Sequence, residues 1–176
     1  MTSRLLIVGE QPSGTGGDAL AGRAGDRLAE LAGITRDRYL TLRRANLLAT
    51  PGRWDRADAA VAAKAIDAGE PDHVELLLLG RRVAAAFDVP AAPWFTSPRL
   101  PSGRTVYLIP HPSGRNRLWN DHETRRRARA FLATVGLATS SSVTREYRLV
   151  LIDSGAQLGP TFETLSDLAA RHSMAR

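Results

Sequence analysis

The chain is 176 residues long, 43% apolar and 24% charged, with a net charge of +6. These proportions predict a soluble globular domain large enough to bury a real core. The absence of cysteine excludes disulfides, cysteine-ligated zinc, iron–sulfur clusters and thiol catalysis. No apolar run approaches the ~20 residues of a membrane span, and Leu5-Leu6-Ile7-Val8 is too short for the core of a signal peptide, so a cytoplasmic protein without membrane contact is expected.

Residues 4–8 read as a short buried strand. A Gly/Ser/Pro loop over residues 9–18 leads to a helix over 21–32, with Leu28 and Leu31 on its apolar face and Gly33 as its stop. The segment 39–48 looks extended at Tyr39-Leu40-Thr41-Leu42 and continues through Arg43-Arg44-Ala45-Asn46 until Thr50-Pro51-Gly52 breaks it. A helix over 55–68 follows, with Ala59, Ala62, Ala63 and Ile66 along one side. The run 74–79 reads as a central strand ending at Gly80, and 81–87 as a short helix. A proline-rich connection over 90–101 carries Trp94 and Phe95, and 105–109 is again a strand. Asn120 with Glu123 three residues later forms the pattern of a capping box. The helix it opens buries Ala128, Phe131, Leu132 and Val135 and ends at Gly136.

Thr139-Ser140-Ser141-Ser142 reads as a linker, followed by a fifth strand over 147–152 and a last helix over 162–171. Strands alternating with helices predict an α/β fold, a three-layer α/β/α sandwich with a mainly parallel central sheet. The expected division is a catalytic domain over 1–138 and a C-terminal extension over 139–176, of unknown role.

Two loops follow strands and carry the chemistry, and in an open α/β sheet that end is where ligands bind. The first is Gly9-Glu10-Gln11-Pro12-Ser13-Gly14. It lacks the Gly-Lys-Ser/Thr of a phosphate-binding loop, and no G-x-G-x-x-G opens a helix here, which argues against nucleoside triphosphates. What it offers is a carboxylate, Glu10, and an amide, Gln11; otherwise it is a solvated loop with Glu10 capping some backbone group. The second is Ile109-Pro110-His111-Pro112-Ser113-Gly114-Arg115-Asn116-Arg117-Leu118-Trp119-Asn120. Prolines on both sides fix the backbone at His111, placing its ring to donate to a ligand. Ser113-Gly114 could present backbone N–H groups to a phosphate. Arg117, Leu118 and Trp119 form a basic-apolar wedge of the kind that fills the gap left by an extruded base; the alternative is that Leu118 and Trp119 staple the next helix to the core. His122 and His172 show no metal-ligand spacing, so neither a metal nor a cofactor is expected.

Charge placement points the same way. Between Arg99 and Arg129 stand eight arginines against Asp121 and Glu123, while the rest of the chain holds 16 basic and 16 acidic residues. The whole excess therefore surrounds the second loop, where it would attract a phosphate backbone.

Taken together, the two loops resemble those of the uracil-DNA glycosylase superfamily. Gly9-Glu10-Gln11-Pro12 is similar to its first motif and His111-Pro112-Ser113 to its second. Gly22-Arg23-Ala24-Gly25, Asn46 before Pro51-Gly52, and Leu78-Leu79-Gly80 extend the likeness over residues 4–136 toward the iron–sulfur branches, without their cysteines. The resemblance implies hydrolysis of the bond between a flipped base and deoxyribose, with DNA as partner and a monomer at work. It implies His111 as donor to the departing base, Glu10 or Gln11 as the group that positions or activates water, and Asn46 as reader of the base edge. Gly9 and Pro12 would shape the base pocket. Ser113, Gly114, Arg115, Asn116, Arg117 and Leu118 would meet the DNA. A stacking aromatic of the relatives falls near Leu20, which implies room for a larger or modified base. Two other functions fit the same residues: a module that recognises a flipped base without cutting, and an N-glycosidase of free nucleotides.

Overall fold

The structure is a computed structural model that describes residues 4–12 and 18–137. The expected fifth strand and last helix lie outside the described residues. The elements, in order, are β1 (Leu5–Gly9), α1 (Arg23–Ala32), α2 (Arg36–Leu40), β2 (Arg43–Asn46), α3 (Arg56–Gly69), β3 (Glu75–Leu79), α4 (Arg81–Ala86), β4 (Val106–Ile109), a 3₁₀ turn (Arg117–Asn120) and α5 (His122–Thr134).

The strands form one all-parallel sheet in the order β2-β1-β3-β4. β1, β3 and β4 are apolar on both faces because helices cover both faces. Leu5, Ile7, Leu77, Leu79 and Ile109 enter one core with Leu28 and Leu132. Leu6, Val8, Leu76, Leu78 and Leu108 enter the other with Ala63 and Val83. α1 packs on α5, and α3 on α4, which completes the three-layer α/β/α sandwich expected from the sequence. β2, with half-buried Arg-Arg-Ala-Asn, is one edge. At the other edge, Thr96 and Arg99 bridge antiparallel to Leu108 and Thr105, so the proline-rich connection covers the open side of β4.

Two local expectations are corrected. Tyr39 and Leu40 are helical, not extended. Thr35 caps α2 by accepting from the Arg38 N–H at 3.2 Å, and the turn buries Tyr39 against the core. α5 is capped by Asp121, whose carboxylate accepts from the Thr124 N–H at 2.7 Å, rather than by Asn120. Asn120 closes the 3₁₀ turn, and Glu123 pairs with Arg126 instead of reaching back to the cap.

Among the described residues no helix is long and apolar enough to cross a membrane. α3 ends against Arg104, which is 7% exposed. Its guanidinium holds the Asp67 carboxylate at 2.7 Å and donates to the carbonyls of Asp67, Glu70, Pro71 and Val74. A buried cation thus satisfies the carbonyls that the helix end leaves unpaired.

Candidate active site

The chain leaves β1 for β2 on one side and later adds β3 on the other, so the loops after β1 and β3 part at this point. Such a switch opens a crevice at the carboxyl ends of the strands. Three loop residues converge there: Glu10 after β1, Gly80 after β3 and His111 after β4. Gly80 is what lets them meet. A Cβ built on it would lie 3.0 Å from the His111 Cβ and 3.6 Å from Glu10 Oε1, and its φ of +97° is one that side chains avoid. Glu10 and His111, about a hundred positions apart in sequence, therefore flank one small gap.

The second loop is built to fix His111. Its carbonyl accepts the Trp119 indole N–H at 2.8 Å and the Asn116 amide at 3.1 Å. Asn116 also accepts from the Leu118 N–H and so caps the 3₁₀ turn. The Ser113 N–H donates to His111 Nδ1 at 3.2 Å. A backbone N–H can only donate, so Nδ1 is unprotonated and the ring carries its proton on Nε2. Burial pulls the imidazole below its ordinary value and Arg82 adds to this, while Glu10 opposes it. The result is a neutral imidazole with one N–H to offer.

Glu10 is anchored from the other side. Its carbonyl accepts from the Leu48 N–H at 3.0 Å. Oε2 pairs with Arg82 Nη1 at 3.4 Å, the carboxylate being 22% exposed. Gln11 donates its amide N–H to the Gly52 carbonyl at 2.9 Å, and its Oε1 is buried without a protein partner. A hollow of about 410 Å³ is lined by Leu47, Leu48, Pro51, Gly52 and Asp58 among others, and neither Glu10 nor His111 lines it.

Asn46 pairs with Gly9 across β2 and β1. Its Oδ1 is buried without a protein partner and would lie 2.9 Å from a Gly9 Cβ. Leu20 closes over the same spot at 2.6 Å. It holds a φ of +56°, stabilised by the buried Tyr39 hydroxyl, which donates to its carbonyl at 3.1 Å. Burial pushes the Tyr39 pKa up to about 12, so that hydroxyl keeps its proton.

The Arg117-Leu118-Trp119 wedge divides. Trp119 is 2% exposed and belongs to the core, whereas Leu118 is 43% exposed. Arg115, Arg117 and Gly114 are exposed beside it, as are Arg125, Arg127 and Arg129 on α5. The Ser113 N–H is already committed to His111, and the Ser113 carbonyl accepts from Arg27 of α1 at 3.5 Å. Gly80 had a legible signal as a strand-Gly-helix junction. Arg82 and Arg27 had none, since each acts on a loop far away in sequence.

The family description Uracil DNA glycosylase superfamily matches residues 1–134. The chain belongs to this superfamily. The match spans every described element from β1 to α5, so both loops of the site lie within it. The superfamily carries DNA glycosylase-type activity and acts on DNA. This member has no cysteine with which to hold an iron–sulfur cluster. No curated protein matches the chain.

Proposed function

We propose that the protein is a monofunctional DNA glycosylase, hydrolysing the N-glycosidic bond of uracil or a modified base flipped out of DNA. The observation that supports this reading is that the Glu10 carboxylate and the Cβ of His111 both lie against Gly80, with burial lowering the pKa of the His111 imidazole. In this reading Glu10 orients a water and accepts its proton as the oxygen bonds to the sugar carbon. Its negative charge also favours the oxocarbenium-like sugar. The electron pair of the broken bond leaves with the base. His111 Nε2–H donates to the base oxygen on which that charge develops. Gln11 is held through its amide N–H on the Gly52 carbonyl, and its buried, unpartnered Oε1 supports a share with Glu10 in positioning the water.

Asn46 reads the base edge, its unpartnered Oδ1 supporting that role, with Gly9, Pro12 and Leu20 forming the pocket wall. An aliphatic Leu20 in place of a stacking ring favours a base bulkier than plain uracil. Ser113, Gly114, Arg115 and Arg117 hold flanking phosphates, while exposed Leu118 fills the space the base leaves. Asn116, its amide spent inside the loop, shapes this surface. Residues 1–138 form the catalytic domain and 139–176 an extension, the enzyme working in the cytoplasm as a monomer in base-excision repair or in defence against modified phage DNA.

The test is a panel of single- and double-stranded DNAs carrying uracil, thymine mismatches and hypermodified bases, scored for alkali-labile sites. The expected result is strand breakage after alkali at one class of base, with release of the intact base. A panel that yields no abasic site refutes the enzymatic reading for those substrates.

A further inference from the structure

Arg82 sits in the first turn of α4, two positions after Gly80, and takes part in neither loop motif. Its guanidinium lies between two groups. Nη1 meets Glu10 Oε2 at 3.4 Å, and the guanidinium carbon lies 5.9 Å from the centroid of the Trp54 ring. The other carboxylate oxygen, Oε1, is the one that faces the Gly80 gap. Division of labour between the two oxygens follows. One is held by a cation, and the other keeps its lone pairs for a water in the crevice. Trp54 is partly buried against the core on the α3–α4 side, so the ring is a fixed surface against which Arg82 is steadied.

We propose that Arg82 is a positioning residue of this site: braced on Trp54, it fixes the Glu10 carboxylate so that Oε1 points into the gap beside His111. The proposal rests on the glycosylase reading for its consequence in catalysis, but the geometry it claims exists in the free protein. Arg82 is exposed, with 60% of its side chain accessible, and its role is to orient and not to bind the base. The charged groups that bear on His111 are Glu10 from the β1 loop and Arg82 from α4, which oppose each other. Arg27 from α1 reaches the neighbouring Ser113 carbonyl. If Arg82 holds Glu10 in place, removing it has two effects on His111. A cation is lost nearby, and the carboxylate loses its fixed position.

The experiment uses the full chain. His111 is titrated by NMR in the wild type, R82A, R82K, E10Q and the R82A/E10Q double variant, alongside single-turnover cleavage of whichever base the wild type excises. In E10Q the His111 midpoint falls, and in R82A the rise from the lost cation is partly offset by release of the carboxylate. The shift caused by E10Q is smaller when Arg82 is already absent, because an untethered carboxylate acts on His111 less. The cleavage rate of R82A drops by roughly three- to tenfold, DNA affinity stays within about twofold, and R82K recovers most of the rate. W54L moves the rate in the same direction by less. Two outcomes overturn the proposal: an E10Q shift of equal size in both backgrounds, or an R82A variant with unchanged rate but weaker, less salt-sensitive DNA binding, which makes Arg82 a phosphate contact. A wild-type protein that cleaves no base refutes the glycosylase reading alone, and the titrations then decide the position of Glu10 by themselves.

Discussion

Replacing Gly80 by alanine adds a single methyl group at the point where Glu10 and His111 meet. With φ at +97° and ψ at 165°, Gly80 occupies a region of backbone space used almost only by glycine, and forcing alanine there costs about 1–3 kcal/mol. The new Cβ would stand 3.0 Å from the His111 Cβ. That is tighter than most carbon contacts, and the His111 carbonyl is held by Trp119 and Asn116, so the His111 side chain yields or Gly80 moves. Either response displaces the imidazole or the carboxylate by a few tenths of an ångström or more. Misplacement on the scale of 1 Å costs roughly a hundredfold in rate, so Gly80→Ala is expected to lose about ten- to a hundredfold beyond any effect of unfolding. Urea denaturation measures the first quantity. Single-turnover cleavage, well below the unfolding transition, measures the second. An alanine variant within about 0.5 kcal/mol of wild type and fully active would refute the claim that this glycine makes room for the two groups.

Three further outcomes are expected. Trp119→Phe keeps most of the buried ring but removes the N–H donated to the His111 carbonyl; it costs about 1–2 kcal/mol in denaturation and lowers the cleavage rate more than DNA affinity. Tyr39→Phe leaves the Leu20 carbonyl without its buried donor, again costing about 1–2 kcal/mol by denaturation. His111 gives stability a pH dependence of known sign. Burial lowers its folded-state pKa, so as pH falls the unfolded chain takes up the proton first, near about 6.5. The stability contributed by the neutral ring is complete above that value and is lost as pH falls through the folded-state pKa. His111→Asn flattens this part of the stability–pH curve, measured by denaturation between pH 5 and 8.

Much of this molecule is legible in its sequence, for physical reasons. β1, β3 and β4 show themselves because both faces are buried, which makes them apolar runs such as Leu76-Leu77-Leu78-Leu79. The convergence of the two loops follows from the rule that parallel strands deliver their carboxyl ends to one side. What was hidden depends on tertiary contacts. The Tyr39-Leu40-Thr41-Leu42 alternation looks like a strand, but a five-residue helix wins because it seats Tyr39 in the core under Leu20. Asn120 and Asp121 are both good caps. Asp121 takes the role because the 3₁₀ turn that carries Trp119 to the His111 carbonyl already includes Asn120. Arg82 was invisible, since an arginine after a helix-capping glycine looks like ordinary surface and its partner lies 72 positions away. The unpartnered Oδ1 of Asn46 is likewise a property of packing and not of local pattern.

In the proposed reaction the Glu10 carboxylate works with His111 on a bond held between them. The most direct measurement compares the wild type with Glu10→Gln on the same base-modified DNA, following binding and base release separately. The amide variant is expected to bind this DNA with affinity within about twofold of wild type and to release base at least roughly a thousandfold more slowly. Release at the wild-type rate by the amide, or loss of binding and release in equal measure, would contradict it.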